Sequence, residues 1–260
     1  QQFLSQEQVA TTVLTLADDA QAKILNGKII PGDRVFYPVK SHIRASVPKA
    51  EKNNLDGKSV YIGDSEALLF RGDDAKRIDS VTSMIKEKGG KINSSGPSQH
   101  GQNDLVIHFT GNVPNFSKLT ELSRNEWDKL VDKFINSPAR LTQQAFDTFV
   151  PGGSDDPRKF KDVKGRIVII GPALPAGKKI SGHERAKVEV FRGLLRPFAT
   201  TVNQELSDVL KSNVRVFLIL PGTVDGKEPR YENIINTINY LMSDEAISSS
   251  EVIFCPDETR

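Results

Sequence analysis

From residue 56 to residue 256, short apolar runs alternate with longer amphipathic segments, and this alternation restricts the fold more than any other feature of the sequence. The apolar runs predict β-strands at 59–62, 105–109, 166–170, 214–220 and 251–254. Apolar residues at helical spacing predict helices at 75–88, 123–149, 184–210 and 232–242. Strands and helices that alternate at this spacing are typical of a parallel sheet covered on both faces. We therefore predict a Rossmann-like, doubly wound α/β fold.

The first 55 residues have a different character and predict a separate region. Residues 5–25 show helical spacing, whereas residues 35–54 contain two prolines and many charged side chains. We interpret residues 1–55 as an N-terminal helix followed by an extended arm, and residues 56–260 as one Rossmann-like domain. The chain has 260 residues, of which 37% are hydrophobic, and this is enough to form one α/β core of that size.

Composition excludes several classes of function. The net charge is only +2, and no dense block of Lys and Arg is present, so we do not expect nucleic acid as a partner. No apolar run approaches the ~20 residues that a membrane-spanning helix needs, so no transmembrane segment is predicted. The single cysteine, Cys255, excludes an internal disulfide and a Cys-rich metal site. His100 and His108 have no metal-ligand companions at short spacing, so we predict no metal site.

The most specific pattern is the order of three segments in the second half of the chain. A predicted strand is followed by Gly171 and Pro172, a helix then opens with Gly-His-Glu-Arg-Ala-Lys at 182–187, and the next strand ends in Pro221-Gly222. This order resembles the second half of a short-chain dehydrogenase/reductase. In that family a strand ending in Ser precedes a Tyr-x-x-x-Lys helix, and a strand ending in Pro-Gly comes after it.

The resemblance assigns four positions of this chain to the catalytic residues of the family. Lys187 matches the Lys, and Asn136 lies where the corresponding helix carries a catalytic Asn. His183 stands at the Tyr position, and Pro172 stands where the strand should supply Ser. In the family, the Tyr donates a proton to the substrate oxygen, the Lys lowers the pKa of the Tyr, and the Ser holds the same oxygen. Pro172 offers neither a side-chain donor nor an N–H group.

We therefore interpret these four positions as vestigial and expect no catalytic residue among them. An imidazolium at His183 is able to act as a general acid near neutral pH, but Lys187 one helical turn away disfavours the charged imidazole. A working His183–Lys187 acid remains the alternative. We interpret His183 as a surface residue at the start of a helix, Lys187 as covering apolar surface with its stem, and Asn136 as bonding backbone at a helix bend.

The cofactor-binding turns of the family are also incomplete in this chain. The family's first turn, Thr-Gly-x-x-x-Gly-x-Gly, is represented by Gly63 alone, and Asp64 and Glu66 place carboxylates beside it. A dinucleotide pyrophosphate needs close backbone approach and the positive end of a helix. The family's Asn-Asn-Ala-Gly turn appears here as Phe-Thr-Gly-Asn at 109–112. We expect no bound cofactor, and NAD(P) only if the chain is an enzyme; the vestigial cofactor positions are Gly63, Gly111, Pro221 and Gly222.

The length of one loop separates this chain from an ordinary member of the family. Residues 91–103 are polar and rich in Gly and Ser, so we predict a loop with at most one short strand. The family has two strands and an intervening helix in this region. The resemblance therefore implies a sheet shortened on that side, with a flavodoxin-like strand order. The combination is most similar to the non-catalytic amino-terminal half of high-molecular-weight 3-oxoacyl-carrier-protein reductases.

These features lead to three hypotheses about function. The first is a non-catalytic, reductase-like scaffold or accessory subunit of a larger multiprotein complex. The second is a divergent NAD(P)-dependent reductase that acts on a 3-oxoacyl or other carbonyl substrate. The third is a nucleotide-binding sensor without turnover.

For the first hypothesis, we expect partner subunits to bind the helices at 126–149 and 184–210 and the N-terminal arm. The second of these helices has an apolar stripe that serves either as core or as an interface; its members are Phe191, Leu194, Leu195, Phe198 and Val202. The chain begins at Gln1, which suggests either a removed leader or residues that precede it. We therefore expect an organellar, mitochondrial location, with the cytoplasm as the alternative.

Overall fold

The computed structural model describes most of the predicted Rossmann-like domain. The described residues are 10, 43–44, 50–64, 73–97, 103–114, 118–149, 163–174, 182–210, 212–222, 230–248 and 252–256. The chain divides into two compact units, Gln1–Ser41 and His42–Arg260. Within the first unit only Ala10 is described, so the predicted N-terminal helix and most of the arm lie outside the described residues. The domain boundary at residue 55 stays a prediction.

The described helices and strands follow the predicted alternation. The strands are β1 (Ile43–Arg44), β2 (Ser59–Asp64), β3 (Lys91–Asn93), β4 (Leu105–Phe109), β5 (Lys164–Ile170), β6 (Asn213–Ile219) and β7 (Ile253–Phe254). The α-helices are α1 (Asp73–Glu87), α2 (Arg124–Val131), α3 (Ser137–Phe149), α4 (Gly182–Gln204), α5 (Tyr231–Leu241) and α6 (Asp244–Ser248). Two π-helical segments, Asp132–Asn136 and Glu205–Val209, follow α2 and α4 directly, and a short 3₁₀ helix spans Leu119–Glu121.

The sheet of the described residues has seven parallel strands in the order β1-β7-β6-β5-β4-β2-β3. Without β1, this is the flavodoxin-like order, in which the chain starts near the middle of the sheet and builds outward in both directions. The predicted Rossmann-like fold and the shortened side are therefore confirmed. Of residues 91–103, the described part, 91–97 and 103, contributes the three-residue strand β3. The strand β1 comes from the segment interpreted as an extended arm, and it pairs with β7.

The sheet is buried on both faces, as the apolar runs predict. All five residues of β4 are buried, and six of the seven residues of β5 are buried. One face packs against α1 and α5, whose core residues include Val81, Ile85, Ile234 and Ile238. The other face packs against α3 and α4 through Ala145, Phe149, Leu195 and Ala199. Because both faces are covered, the central strands read as continuous hydrophobic runs and do not alternate with polar residues.

The helix that begins after Ser123 has a capping box. The Ser123 Oγ accepts a hydrogen bond from the Glu126 N–H at 3.3 Å, and the Glu126 carboxylate accepts one from the Ser123 N–H at 2.8 Å. The helix bend predicted at Asn136 falls in a π-helical segment, Asp132–Asn136, that ends two residues before Pro138. Pro138 has no N–H to donate to the carbonyl four residues earlier, and the Ser137 N–H instead donates to the Asp132 carbonyl five residues earlier.

Candidate functional site at the carboxyl ends of the strands

The expected ligand site of this fold lies where the strand order reverses. β3 and β4 lie on opposite sides of β2, and parallel α/β sheets bind ligands in the crevice outside the carboxyl ends at such a point. The described rim consists of residues 110–112 after β4, 171–174 after β5 and 220–222 after β6. The segments at 65–72, 175–181 and 223–229 also follow strands in the sequence, and they lie outside the described residues.

A buried arginine joins two parts of this rim. Arg192 on α4 is fully buried, and its Nη1 donates hydrogen bonds to the Pro221 carbonyl at 2.7 Å and to the Pro172 carbonyl at 3.3 Å. Its Nε lies 3.6 Å from Oε1 of Glu189, one turn earlier on the same helix. The Pro221 carbonyl also accepts a hydrogen bond from the Leu174 N–H at 3.3 Å. Arg192 therefore ties the residues that follow β5 to those that follow β6.

A buried lysine makes a similar contact at the neighbouring strand. Lys133, in the first π-helical segment, is 6% exposed, and its Nζ donates a hydrogen bond to the Asn112 carbonyl at 3.1 Å. The adjacent Phe134 stacks against Phe191 with ring centroids 4.7 Å apart, and the Lys133 Nζ lies 5.4 Å from the Phe134 centroid. Cationic side chains thus bind backbone carbonyls just after three consecutive strands, β4, β5 and β6.

The described residues line a small cavity at this edge. It lies at the ends of β4 and β5 and has a volume of about 20 Å³, which is room for about one water molecule. Its walls are Phe109, Gly111, Asn112, Ile170, Gly171, Ala173 and Pro221 from the sheet side, and Arg77, Tyr231 and Ile234 from α1 and α5. A larger open groove of about 680 Å³ runs between α1 and the start of α5. None of the predicted site residues lines that groove.

Asn136 lies on the exposed side of its helix and does not face the crevice. Its Nδ2 donates to the Asp132 carboxylate at 3.4 Å, and Arg140 donates to both oxygens of the same carboxylate at 3.0 and 3.4 Å. These hydrogen bonds, chiefly the one from Arg140, lower the pKa of Asp132. The three side chains form a surface stripe with a spacing of four residues, which is typical of an exposed helix face. Asn136 bonds a side chain here, whereas the sequence predicted a bond to backbone.

The other three vestigial catalytic positions lie at the carboxyl edge or on α4. Pro172 follows β5 and contributes its carbonyl to Arg192. His183 is the second residue of α4, and its side chain lies outside the described part of the chain. Lys187, one turn later, is 9% exposed, and its predicted packing against apolar surface stays a prediction.

The four vestigial cofactor positions occupy different environments. Gly63 lies within β2, because the strand continues two residues beyond its predicted end. It pairs with His108 of β4. An added Cβ at Gly63 would lie 3.1 Å from the Tyr61 ring. Gly111 has a φ of 73°, the left-handed conformation that glycine adopts without strain. Pro221 accepts the Arg192 hydrogen bond, and the Gly222 N–H donates to the Pro256 carbonyl at 3.1 Å.

Within the described residues, this edge holds neither an imidazole that is charged at physiological pH nor a group of possible metal ligands. His108 is 1% exposed, and burial lowers its pKa to about 4, so the imidazole is neutral at physiological pH. No three His, Cys, Asp or Glu side chains of the described residues are grouped so that they could hold a metal ion. None of the described helices combines the length and apolar character that crossing a membrane requires.

The apolar stripe of α4 packs mainly into the core. Phe191 and Leu195 are fully buried, and Phe198 and Val202 are half-buried. Leu194, which is 39% exposed, is the large hydrophobic residue that α4 presents to solvent. The described surface therefore offers little surplus apolar area on this helix for a partner.

Arg192 and Lys133 are the residues of this site that the sequence analysis did not identify. Each follows the helical spacing of its apolar neighbours: Arg192 lies three residues before Leu195, and Lys133 lies three residues after Leu130. A cation at a core position of an amphipathic helix is the signal that could have identified both. Such a cation is seldom fully buried without a specific acceptor.

Comparison with known proteins agrees with the fold and with the resemblance seen in the sequence. No family model matches the chain. Over 141 residues it is 26% identical to an uncharacterized oxidoreductase of Staphylococcus aureus (strain N315), covering 54% of this chain and 53% of that protein. It is also 26% identical over 146 residues to the short-chain dehydrogenase/reductase FrzI of a Cladobotryum species, covering 56% of this chain and 49% of that protein. The chain spans about half the length of these curated relatives.

Solved structures are similar over a larger part of the chain. A short-chain dehydrogenase from Leptospira borgpetersenii with bound NAD⁺ has a TM-score of 0.56 at 11% identity, and covers 82% of this chain and 96% of its own. A structure of BdcA in complex with NADPH has a TM-score of 0.51 at 16% identity, with coverages of 78% and 94%. At these identities the likeness shows the fold. The sequence relatives and these structures thus agree in their likeness to short-chain dehydrogenases/reductases.

Proposed function

We propose that this chain is a non-catalytic domain derived from a short-chain reductase, similar to the amino-terminal half of high-molecular-weight 3-oxoacyl-carrier-protein reductases, and that it serves as a scaffold or accessory subunit. The observation that carries this proposal is the Arg192 guanidinium on the carbonyls of Pro172 and Pro221. The chain's own side chain thus uses acceptors at the edge where this fold binds ligands.

We infer that the described residues match a dinucleotide reductase site poorly. The cavity that they line at the ends of β4 and β5 measures about 20 Å³, and Tyr231 and Ile234 form part of its wall. Pro172 supplies no hydrogen-bond donor to a substrate oxygen. Loss of one such donor alone typically lowers a rate by on the order of a hundredfold or more. Asn136 pairs with Asp132 on the surface. These features all oppose the reductase reaction.

Titration with NADPH and NADH tests the non-catalytic function directly. We expect no saturable change in nucleotide fluorescence at micromolar to millimolar nucleotide, and no oxidation of NADPH when 3-oxoacyl substrates are added. An active short-chain reductase in the same assay provides the positive control. Saturable micromolar nucleotide binding contradicts the proposal. Turnover with any carbonyl substrate would show that the chain is an enzyme.

The alternative function is a divergent NAD(P)-dependent reductase of a 3-oxoacyl or other carbonyl substrate. It is favoured by the sequence relatives, which are described as oxidoreductases. In that case the crevice must open, because the buried contacts of Arg192 and Lys133 occupy the described rim. The same titration separates the two functions, since only the reductase requires nucleotide to bind with saturation.

We further propose that the scaffold belongs to a larger protein assembly, with an organellar, mitochondrial location. This rests on the resemblance and on the long N-terminal segment that precedes the sheet domain. Purification of the endogenous protein, followed by native mass measurement, tests it. We expect other subunits to copurify and the mass to exceed that of a homodimer. A free monomer or a simple homodimer contradicts the assembly, and cell fractionation tests the location.

A further inference from the structure

The Arg192 guanidinium has the set of partners that a bound cation would have. Its Nη1 lies 2.7 Å from the Pro221 carbonyl oxygen and 3.3 Å from the Pro172 carbonyl oxygen, and its Nε lies 3.6 Å from a Glu189 carboxylate oxygen. These three acceptors come from the residue after β6, from the residue after β5 and from α4. We propose that they form a binding site for small planar cations, and that the site's resident ligand is the side chain of Arg192.

The chemistry of the site matches a guanidinium better than other cations. A guanidinium is planar, permanently charged and presents its N–H groups in a fixed fork, whereas an ammonium is a compact and strongly hydrated charge. Here Nη1 donates to both carbonyl oxygens, and the Glu189 carboxylate, 3.6 Å from Nε, supplies the opposite charge. The Leu174 N–H takes one lone pair of the Pro221 carbonyl, and the second lone pair remains for Arg192. The acceptors therefore specify a guanidinium or amidinium ion.

The internal ligand also limits access to the described rim, and this part of the inference rests on the proposed non-catalytic function. Arg192 is fully buried at the edge where the fold binds external molecules. The Pro221 carbonyl already accepts from Leu174 and from Arg192, so an external donor to that carbonyl would have to displace Arg192. Arg192 is thus an autoinhibitory contact at the Pro221 carbonyl.

Removal of the side chain should convert the internal site into a site for a soluble cation. In Arg192→Ala, both carbonyls lose a buried donor and Glu189 loses a nearby positive charge, so we expect the melting temperature to fall by roughly 5–10 °C. Methylguanidinium at about ten times its Kd would then raise the folding equilibrium constant about tenfold. The experiment measures the melting temperature of each variant against methylguanidinium at constant ionic strength, with the neutral analogue methylurea as the matched solute.

Two variants serve as matched controls. Arg192→Met fills much of the same volume without a charge, so it should be destabilised and should not respond to methylguanidinium. Arg196→Ala removes a half-buried arginine that lies 3.3 Å from the same Glu189 carboxylate and for which no carbonyl contact is found. It should also show no response. If Arg192→Ala does not fold, the yield of refolded protein with and without methylguanidinium is the readout.

The inference is supported if methylguanidinium raises the melting temperature or refolding yield of Arg192→Ala alone, and methylurea does not. It is overturned if Arg192→Ala does not respond, or if Arg192→Met or Arg196→Ala responds equally. Nucleotide binding to the unmodified protein is measured separately. Tight NADPH binding by that protein would contradict the non-catalytic function without changing the comparison among the arginine variants.

Discussion

At the scale of single residues, His108 links burial to a dependence of stability on pH. It lies in the middle of the sheet, between Gly63 of β2 and Ile169 of β5, and burial lowers the pKa of its imidazole to about 4. In the unfolded chain the pKa of histidine is about 6.5. Between these two values the unfolded state binds more protons than the folded state, so the free energy of unfolding decreases as the pH falls.

We predict that His108 alone lowers the free energy of unfolding by on the order of 3 kcal/mol as the pH is reduced from 7.5 to 4. Urea unfolding of the protein and of His108→Gln across this range measures the effect. The carboxylates titrate in both proteins, so the difference between the two curves isolates the histidine. Parallel curves would show that His108 is not the group responsible.

Gly165 tests how closely α3 packs on the sheet. A Cβ at this position would lie within 3 Å of the Phe149 ring, which packs directly on β5. We predict that Gly165→Ala destabilises the protein by about 2 kcal/mol, because the buried ring has to move. Gly193→Ala is the matched control, since nothing lies within 4 Å of its added Cβ. That variant should be neutral or more stable by up to about 1 kcal/mol. Chemical denaturation distinguishes these outcomes.

At the scale of elements, the side chain of Asn203 on α4 substitutes for a missing strand beside β6. Pairing between β6 and β7 begins only at Leu218, whereas the Val216 N–H donates to the Asn203 Oδ1 at 3.0 Å. The Val216 carbonyl accepts from the Asn203 Nδ2 at 2.5 Å. Asn203 is 5% exposed, so it satisfies two buried backbone groups that the short strand β7 does not reach.

We predict that Asn203→Ala lowers the free energy of unfolding by about 2–4 kcal/mol, because it leaves a buried N–H and a buried carbonyl without partners. The adjacent Gln204 is exposed on the same helix, and Gln204→Ala should change stability by less than about 0.5 kcal/mol. Thermal and urea unfolding provide the measurement. Equal effects of the two substitutions would mean that Asn203 does not complete the edge of β6.

The π-helical segment at 132–136 shows where sequence patterns stop being informative about the site. The sequence indicated a helix bend at Asn136, and the capping box at Ser123 marks where the preceding helix begins. It did not indicate which side chains would point toward the strand ends. The wider π-turn changes the angular position of each residue, and in this structure Lys133 faces the Asn112 carbonyl while Asn136 lies on the surface.

At the scale of the whole sheet domain, the pairing pattern predicts unequal local stability. β5 is paired with β4 on one side and with β6 on the other, in the latter case along all seven of its residues. The strands β3 and β1 lie at the two edges and contain three and two residues. We predict that amides of β4, β5 and β6 exchange with solvent at least about tenfold more slowly than those of β3. Hydrogen exchange measured by mass spectrometry or NMR tests this order, and equal exchange in β3 and β5 would contradict it.

The sequence by itself determined the elements and the fold of the described domain. Burial of one face gives each helix or strand a characteristic spacing of apolar residues. That spacing lies within the segment itself, so it can be recognised without knowing which segments pack together. The apolar runs became the central strands, and the short polar stretch at 91–103 correctly predicted a shortened sheet. The resemblance to the reductase pattern also made the departures at Pro172 and His183 visible in the sequence.

Only the tertiary structure decided which side chain binds the backbone carbonyls at the carboxyl edge of the sheet. Arg192 meets Pro172 from 20 residues away and Pro221 from 29 residues away. Helical spacing places Arg192 among buried positions, but it does not say that this side chain reaches the end of the sheet. The answer depends on how α4 crosses β5 and β6, because only their relative position brings a guanidinium within hydrogen-bonding distance of two carbonyls on different strands.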